Sequence, residues 1–205
     1  MALFITFEGG EGSGKSDQAR ALYRKLAKLA IPALLTHEPG VTLLGKKAAY
    51  LLKWSNTVKI SPVAELLLFN TSRAQLVTEV IKPNLERGTL VVCDRYADST
   101  TVYQGYGRGL DMAMVKGVNR IGTLGLMPDL TVLLDIPAEE GLARKNDDKA
   151  DRFEQEALAF HHRVREGYLR LAEEEPDRWL VVDGRKPKKE VAWIIWQRVS
   201  RMLSG

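Results

Sequence analysis

The 205-residue chain has one cysteine, no run of 18 apolar residues, no internal repeat and no low-complexity tract. Each absence excludes a class. A lone thiol rules out an internal disulfide and a cysteine-rich metal site. Its setting, Thr89-Leu90-Val91-Val92-Cys93, predicts a buried thiol acting as a small hydrophobe. Without a long apolar run, no segment is expected to span a bilayer as a helix. The apolar opening from Met1 to Phe7 is short, lacks a basic leader and meets Glu8 at once, so it does not read as a signal peptide. The expected address is the cytoplasm. A large charge of one sign is also missing. The chain holds 30 Lys+Arg against 26 Asp+Glu, a formal charge of +4. An excess this small and this dispersed tolerates an anionic ligand but does not argue for nucleic acid.

What is present is ordinary for a globular protein: 45% apolar and 27% charged residues, which excludes collagen-like and disordered chains. The length predicts a single domain over residues 1–205, large enough to bury roughly 70% of its unfolded surface. Strands are predicted at Leu3–Phe7, Ala33–Thr36, Thr89–Cys93, Leu130–Leu134 and Trp179–Val182. These runs are almost continuously apolar, as strands covered on both faces of a parallel sheet must be. Helical spacing links Ala19, Leu22, Leu26 and Leu29, then Phe153, Ala157, Phe160, Val164, Tyr168 and Leu171, then Val191, Ile195, Val199 and Met202. Gly88 and Pro176 read as helix stops. Strands and helices alternating at this spacing predict a doubly wound α/β domain. The stretch AEEGLARKNDDKAD, from Ala138 to Asp151, breaks the rhythm. It is either a solvated helix end with its loop or a hinged flap over a ligand.

The first strand runs into Gly9-Gly10-Glu11-Gly12-Ser13-Gly14-Lys15-Ser16 and then into Asp17 and helical spacing. This matches G-x-x-x-x-G-K-[ST] between a strand and a helix, the context that the motif requires. Glycines let backbone N–H groups turn toward phosphate oxygens, and the helix N-terminus adds partial positive charge. Lys15 would reach the β/γ-phosphates of ATP, and the Ser16 hydroxyl could ligate Mg²⁺. The expected fold class is therefore a P-loop NTPase, a three-layer α/β/α domain with a five-stranded parallel sheet. A carboxylate is still needed for the metal. Asp94, Asp135 and Asp183 each follow a strand, where any could be a mere cap. Asp94 is favoured because Arg95 adjoins it, placing a metal-directed acid beside a phosphate-directed guanidinium at the carboxyl edge of the sheet.

Hydrolytic switches and transferases share this loop. The N-K-x-D guanine reader of Ras-type GTPases is missing, and a cluster suited to a second small anion is present. Phe69 and Arg73 lie four apart on one helix face. An aromatic face beside a planar donor fork suits a flat heterocycle with a carbonyl acceptor. Residues 94–109, DRYADSTTVYQGYGRG, carry hydroxyls, an amide, glycines and two arginines in a density unlike core packing.

FEGGEGSGKS, HEPG, LLLFNTSRAQ, DRYADSTTVYQGYGRG and DRFE, in that order, resemble the thymidylate kinase family, particularly its bacterial form. The similarity runs from Phe4 to about Asp183, and the DRY…YQGxGRG block is its most specific part. The resemblance implies transfer of the γ-phosphate of ATP to dTMP with Mg²⁺, a mobile helical lid at about 138–152 and a homodimer. A helix such as the one containing Val115 and Val118 would pair the subunits.

It also implies residue roles. Phe69 would stack on thymine and Arg73 would donate to its exocyclic oxygen. Thr100 and Gln104 would meet the base edge, Tyr103 would exclude a 2′-hydroxyl, and Glu11 would approach the 3′-hydroxyl. Arg95 would hold the dTMP phosphate, oriented by Glu38, with Arg108 in the same pocket. Arg144 and Arg152 would be the lid's catalytic cations.

Three places depart from the family pattern. Asp17 replaces a threonine that contacts the α-phosphate. A carboxylate about 4 Å from a phosphate costs roughly 1 kcal/mol in water and ~4 kcal/mol at an effective dielectric of 20, so Asp17 should point away or ATP should bind more weakly. His37-Glu38-Pro39-Gly40-Val41-Thr42 lacks the family's arginine and one glycine, and His37 reads as a neutral surface residue. The stretch from Pro137 to Glu154 carries four cations and six anions, net −2, where bacterial relatives are arginine-rich. Two alternatives stay open at this point: a related nucleotide or nucleoside kinase with another acceptor, and a degenerate paralogue that binds nucleotide without turnover.

Overall fold

A computed structural model describes residues 2–54, 59–145 and 151–204. Part of the expected lid, residues 146–150, lies outside the described residues. In chain order the elements are β1 (Phe4–Glu8), α1 (Lys15–Lys28), β2 (Ala33–His37), α2 (Leu43–Trp54) and α3 (Pro62–Leu76). A π-helical turn, Val77–Ile81, leads into α4 (Lys82–Glu86) and β3 (Leu90–Asp94). Then come α5 (Ala97–Thr100), a π-helical segment Thr101–Gly107, α6 (Met112–Gly122), β4 (Leu130–Asp135) and α7 (Ala138–Ala143). The chain closes with α8 (Leu158–Glu174), β5 (Trp179–Asp183) and α9 (Lys188–Ser204). Among the described residues the strands form one five-stranded sheet in the order β2-β3-β1-β4-β5, every pairing parallel. Among the described residues no helix is long and apolar enough to cross a membrane.

The two-residue period of each strand sorts its side chains between two cores. Ile5 and Phe7 of β1, Leu90 and Val92 of β3, and Leu130, Val132 and Leu134 of β4 pack with Leu22 and Leu26 of α1 and Val191, Ile195 and Val199 of α9. The alternate positions face the other way. Phe4, Val91 and Cys93 meet Leu76, Val77 and Ile81, while Leu133 meets Val102, Phe160, Val164 and Tyr168. The thiol of Cys93 is buried, as expected.

Each expected strand is present, and each runs one residue further than the apolar pattern suggested. The added residues are Glu8, His37, Asp94, Asp135 and Asp183. A backbone ladder accepts any side chain except proline, so polarity ends the apolar run before it ends the strand. This puts polar side chains at the carboxyl edge of the sheet, where ligands bind in folds of this type.

The helix expected from Phe153 begins only at Leu158. Asp151 Oδ1 accepts from the backbone N–H of Phe153 (2.9 Å) and Glu154 (3.2 Å), so an Asx turn takes the place of the first helical turn. Phe153 is nevertheless buried in the α8 core. Starts of other helices follow local chemistry. Ser61 caps α3 by accepting from Ala64 N–H, with Pro62 in the first turn, and Asp111 caps α6 through Met114 N–H.

Candidate active site

The carboxyl edge of the sheet opens into a cavity of about 1080 Å³. One end is the loop between β1 and α1. Gly9 has φ +139° and a Cβ there would lie 2.5 Å from the carbonyl oxygen of Leu134, so only glycine lets the loop pass this close to β4. Gly14, at φ +91°, is the N-cap of α1, and the helix therefore aims its first N–H groups into the cavity. Lys15 is buried and donates to the carbonyl of Gly10 (2.7 Å). Burial and the neighbouring Arg95 charge push its ammonium down to about 8. It is thus a cation that gains by meeting an anion.

Ser16 donates its hydroxyl to Asp94 Oδ2, joining the start of α1 to the end of β3. Two hard oxygen donors at the phosphate end suit Mg²⁺, which typically takes one or two protein oxygens and fills its remaining positions with water and phosphate. No cluster of three or more His, Cys, Asp or Glu side chains able to hold a metal occurs among the described residues. Asp17 turns aside. It accepts from Arg20 (2.7 Å) and Lys188 (2.6 Å), and these bonds hold its carboxyl below the usual range. His37 is exposed at the cavity margin.

Arg95, at φ +68°, stands between the two ends. It donates to Glu11 Oε1 (2.7 Å), Ser99 Oγ (3.2 Å) and Gly9 O (3.4 Å), with its guanidinium 5.1 Å from the centre of the Tyr103 ring. Glu11 also accepts from the Tyr103 hydroxyl (2.6 Å). Burial alone would raise the Glu11 carboxyl, but Arg95 and Lys15 hold it well below the usual carboxylate range. The turn carrying Arg95 is fastened from beneath by Glu8. This buried carboxylate accepts from Tyr96 N–H (2.7 Å), Ser99 Oγ (2.5 Å) and Tyr168 OH (2.8 Å). Burial and the charge of Asp98 raise Glu8 to about 7.

The far end holds Phe69, Arg73, Thr100, Tyr103, Gln104 and Phe153. Phe69 is half-buried, 5.6 Å from the Phe153 ring. The expectation that Glu38 orients Arg95 is corrected: Glu38 Oε2 accepts from Arg73 Nε (2.8 Å) in a buried ion pair. Arg73, from α3, takes Glu38 in this way, whereas Arg95 turns toward the loop and Glu11. Nη1 of Arg73 donates to Asn70 and Asn119, and Nη2 to Tyr96 O and Thr100 Oγ1. The five guanidinium protons thus all have partners within the chain.

Two further expected residues stand outside the cavity lining. Arg108 bonds Glu65 (3.1 Å from Nε) and pairs with Glu156. Arg152 bonds Glu65 and the Leu52 carbonyl. Both guanidinium groups also lie over the Phe153 ring. Arg144 does line the cavity, at the loop end, with Nη1 on Gly184 O (3.2 Å).

Sequence reasoning missed Lys145, between Glu11 and Glu154, and the run from Gly184 to Lys188, which walls the loop end. Lys145 adjoins Arg144 and could have been named with it. It also missed Glu8, Ser99, Tyr168 and Glu65. Glu8 was visible as a charge ending an apolar strand and Ser99 as one hydroxyl of the 94–109 block, but Tyr168 and Glu65 carry no local signal.

A glycine nest, a buried lysine, a hydrogen-bonded Ser16–Asp94 pair and a far end of the same cavity beyond an intervening arginine fit a P-loop phosphotransferase. Comparison with known proteins narrows this class. A family model described as thymidylate kinase matches residues 7–195. The chain is 54% identical over 203 residues to a thymidylate kinase of Dehalococcoides mccartyi strain CBDB1, covering 99% of this chain and 98% of that protein. It is 50% identical over 193 residues to one from Carboxydothermus hydrogenoformans, with 94% of each covered. A crystal structure of thymidylate kinase from Ehrlichia chaffeensis superposes with a TM-score of 0.80 at 30% identity, covering 97% of this chain and 98% of that one. The chain belongs to the thymidylate kinase family.

Proposed function

We propose that this chain transfers the γ-phosphoryl group of ATP to the phosphate of dTMP, giving ADP and dTDP. The observation that carries the reading is the position of Arg95, set between the Lys15 loop and the Phe69–Gln104 pocket in one continuous cavity. The acceptor is already an anion, so no strong general base is needed. The demand is for alignment and for positive charge on the transferring group. The loop N–H groups and Lys15 hold the donor phosphates, and Arg95, released from Glu11, holds the acceptor phosphate. Tyr103 and Glu11 shape the sugar site. Ser16 and Asp94 would hold Mg²⁺, which neutralises phosphate charge when bound. Arg144 and Lys145 are the cations that the segment after β4 brings to the donor end, while Arg152 ties that segment to Glu65. Closure there excludes the water that would hydrolyse ATP.

In this reading the enzyme works in the cytoplasm, where its two substrates meet, and as a homodimer. Val115 is buried within its own chain and cannot pair subunits, but α3 and α6 expose Leu67, Met114 and Ile121, an apolar set that a two-fold partner would cover. Sedimentation of the wild type and Ile121→Glu checks this. A dimer that the substitution dissociates is expected, and a monomeric wild type would refute it. The activity is tested by coupled ADP release with dTMP, dUMP, dCMP, dAMP and dGMP. The highest kcat/KM should fall to dTMP. Equal turnover of all five would refute the assignment, and tight dTMP binding without turnover would point to a nucleotide-binding paralogue.

A further inference from the structure

We infer that Glu65 is a positioning residue that sets base choice by fixing which end of the Gln104 carboxamide meets the ligand. Gln104 is fully buried in the π-helical segment and lines the cavity. Its amide has a donor end and an acceptor end, and sterics alone do not choose between them. Glu65, on α3, makes the choice. A carboxylate only accepts, so it can face only the Nε2 end, and Nε2 donates to Glu65 Oε1 at 2.7 Å. Glu65 is itself held in place by Arg108 Nε (3.1 Å) and Nη2 (3.3 Å) and by Arg152. The amide is therefore locked from behind.

The consequence is that Gln104 Oε1 is buried and has no partner among the described residues. A buried acceptor of this kind calls for an N–H. Its neighbours at this end do not supply one: the Arg73 protons are all engaged, and no other donor of the described residues reaches Oε1, the Thr100 hydroxyl included. The group that completes the site must come from the ligand. A 2,4-dioxopyrimidine presents an N3–H donor and fits. Cytosine presents a bare N3 acceptor in the same place and would set two acceptors face to face. This inference rests on the base-end assignment proposed above.

The test compares kcat/KM for dTMP, dCMP and N3-methyl-dTMP in the full-length wild type, Glu65→Gln and Gln104→Leu. The wild type should favour dTMP over the other two by at least about tenfold, the scale at which an unmet hydrogen bond discriminates. Glu65→Gln supplies an amide that accepts either orientation of its neighbour. It should compress both ratios about tenfold or more through KM for dTMP, leaving KM for ATP within about twofold. Gln104→Leu should compress them equally, and the double variant should add nothing further. A Glu65→Gln enzyme that keeps the wild-type ratios, or loses activity equally on all three substrates, overturns the role of Glu65 alone. Should Glu65→Gln fail to fold, Gln104→Leu and N3-methyl-dTMP still decide. A wild type that accepts the N3-methylated substrate as well as dTMP refutes the inference. A wild type indifferent between dTMP and dCMP refutes the base-end assignment itself.

Discussion

The two ends of the cavity are built on opposite plans. The donor end is made of backbone: glycines between β1 and α1, the first turn of a helix, and a few side chains close together in sequence. The acceptor end is built on ion pairs that belong to the chain itself, Arg73 with Glu38 in the cavity wall and, behind it, Arg108 and Arg152 with Glu65. The first plan leaves Lys15 bonded only to neutral groups among the described residues until phosphate arrives, so its residues should matter for turnover more than for stability. The second spends its charge internally, so its residues should matter for stability at least as much as for binding.

The sharpest way to break that contrast is Lys15→Ala against Arg73→Ala. Loss of Lys15, or of Arg95 where the two ends meet, removes a cation from the transferring group. That should lower kcat by about 10²–10³, the scale of losing one preorganised donor. Melting temperature at neutral pH should not fall for Lys15→Ala and should rise, because the Lys15 ammonium is held at a cost in the free protein. The Lys15 pKa adds a signature. As pH rises through about 8 the ammonium is lost, so kcat/KM for ATP should fall above that value in the free enzyme. A profile flat to pH 10 would remove Lys15 from this role.

At the other end, Arg73→Ala leaves Glu38 buried beside Cys93 and Tyr96 without its counter-charge. Breaking a buried pair from one side costs about 3–5 kcal/mol, so chemical denaturation should show a loss of that size, with KM for dTMP raised and KM for ATP nearly unchanged. A variant as stable as the wild type, with only ATP affinity affected, would show the base pocket to be misassigned.

The same contrast explains which parts could be read from the sequence. The five strands of the sheet and the Gly9–Ser16 loop were legible because almost continuous apolar runs and a strand–loop–helix motif are local patterns. Asp94 and Ser16 were legible as partners because each sits at the tip of such an element. The partner of Arg73 was not. Glu38 lies 35 residues away, and only the packing of α3 against the end of β2 decides that it faces Arg73 and not Arg95. Glu65 was invisible for the same reason, since its three partners come from the π-helical segment, the turn after it and the start of the DRFE run. The late start of α8 was misread because apolar spacing carried through Phe153, while a single Asp151 carboxylate redirected the backbone.

Stability against pH separates the two buried titrating groups nearest the loop. Glu8 is held at about 7 in the fold against 4.5 unfolded. The native state therefore binds the extra proton, and this contribution is complete below about pH 4.5 and lost as pH rises through 7. Lys15 is held at about 8 against 10.5. Here the unfolded chain binds the extra proton, so stability rises with pH between those values. Each limb amounts to roughly 3 kcal/mol. Denaturation midpoints should pass through a shallow minimum between pH 7 and 8. Glu8→Gln should flatten only the acid limb and Lys15→Met only the alkaline one. Identical curves for either variant and the wild type would contradict the burial of that group.

The smallest expected effect belongs to Asp17, the residue that departs most plainly from the family pattern at the donor end. Its carboxylate is already turned to Arg20 and Lys188, about half-exposed, so it neither repels the phosphates at close range nor holds the loop. Exposed pairs of this kind contribute about 0–1 kcal/mol. Asp17→Thr should therefore shift stability by less than about 1 kcal/mol and change KM for ATP by less than about threefold, with kcat preserved. A tenfold fall in KM for ATP would mean that Asp17 swings back toward the phosphates when ATP binds. The donor end would then carry a second carboxylate beside the phosphates, in addition to Glu11.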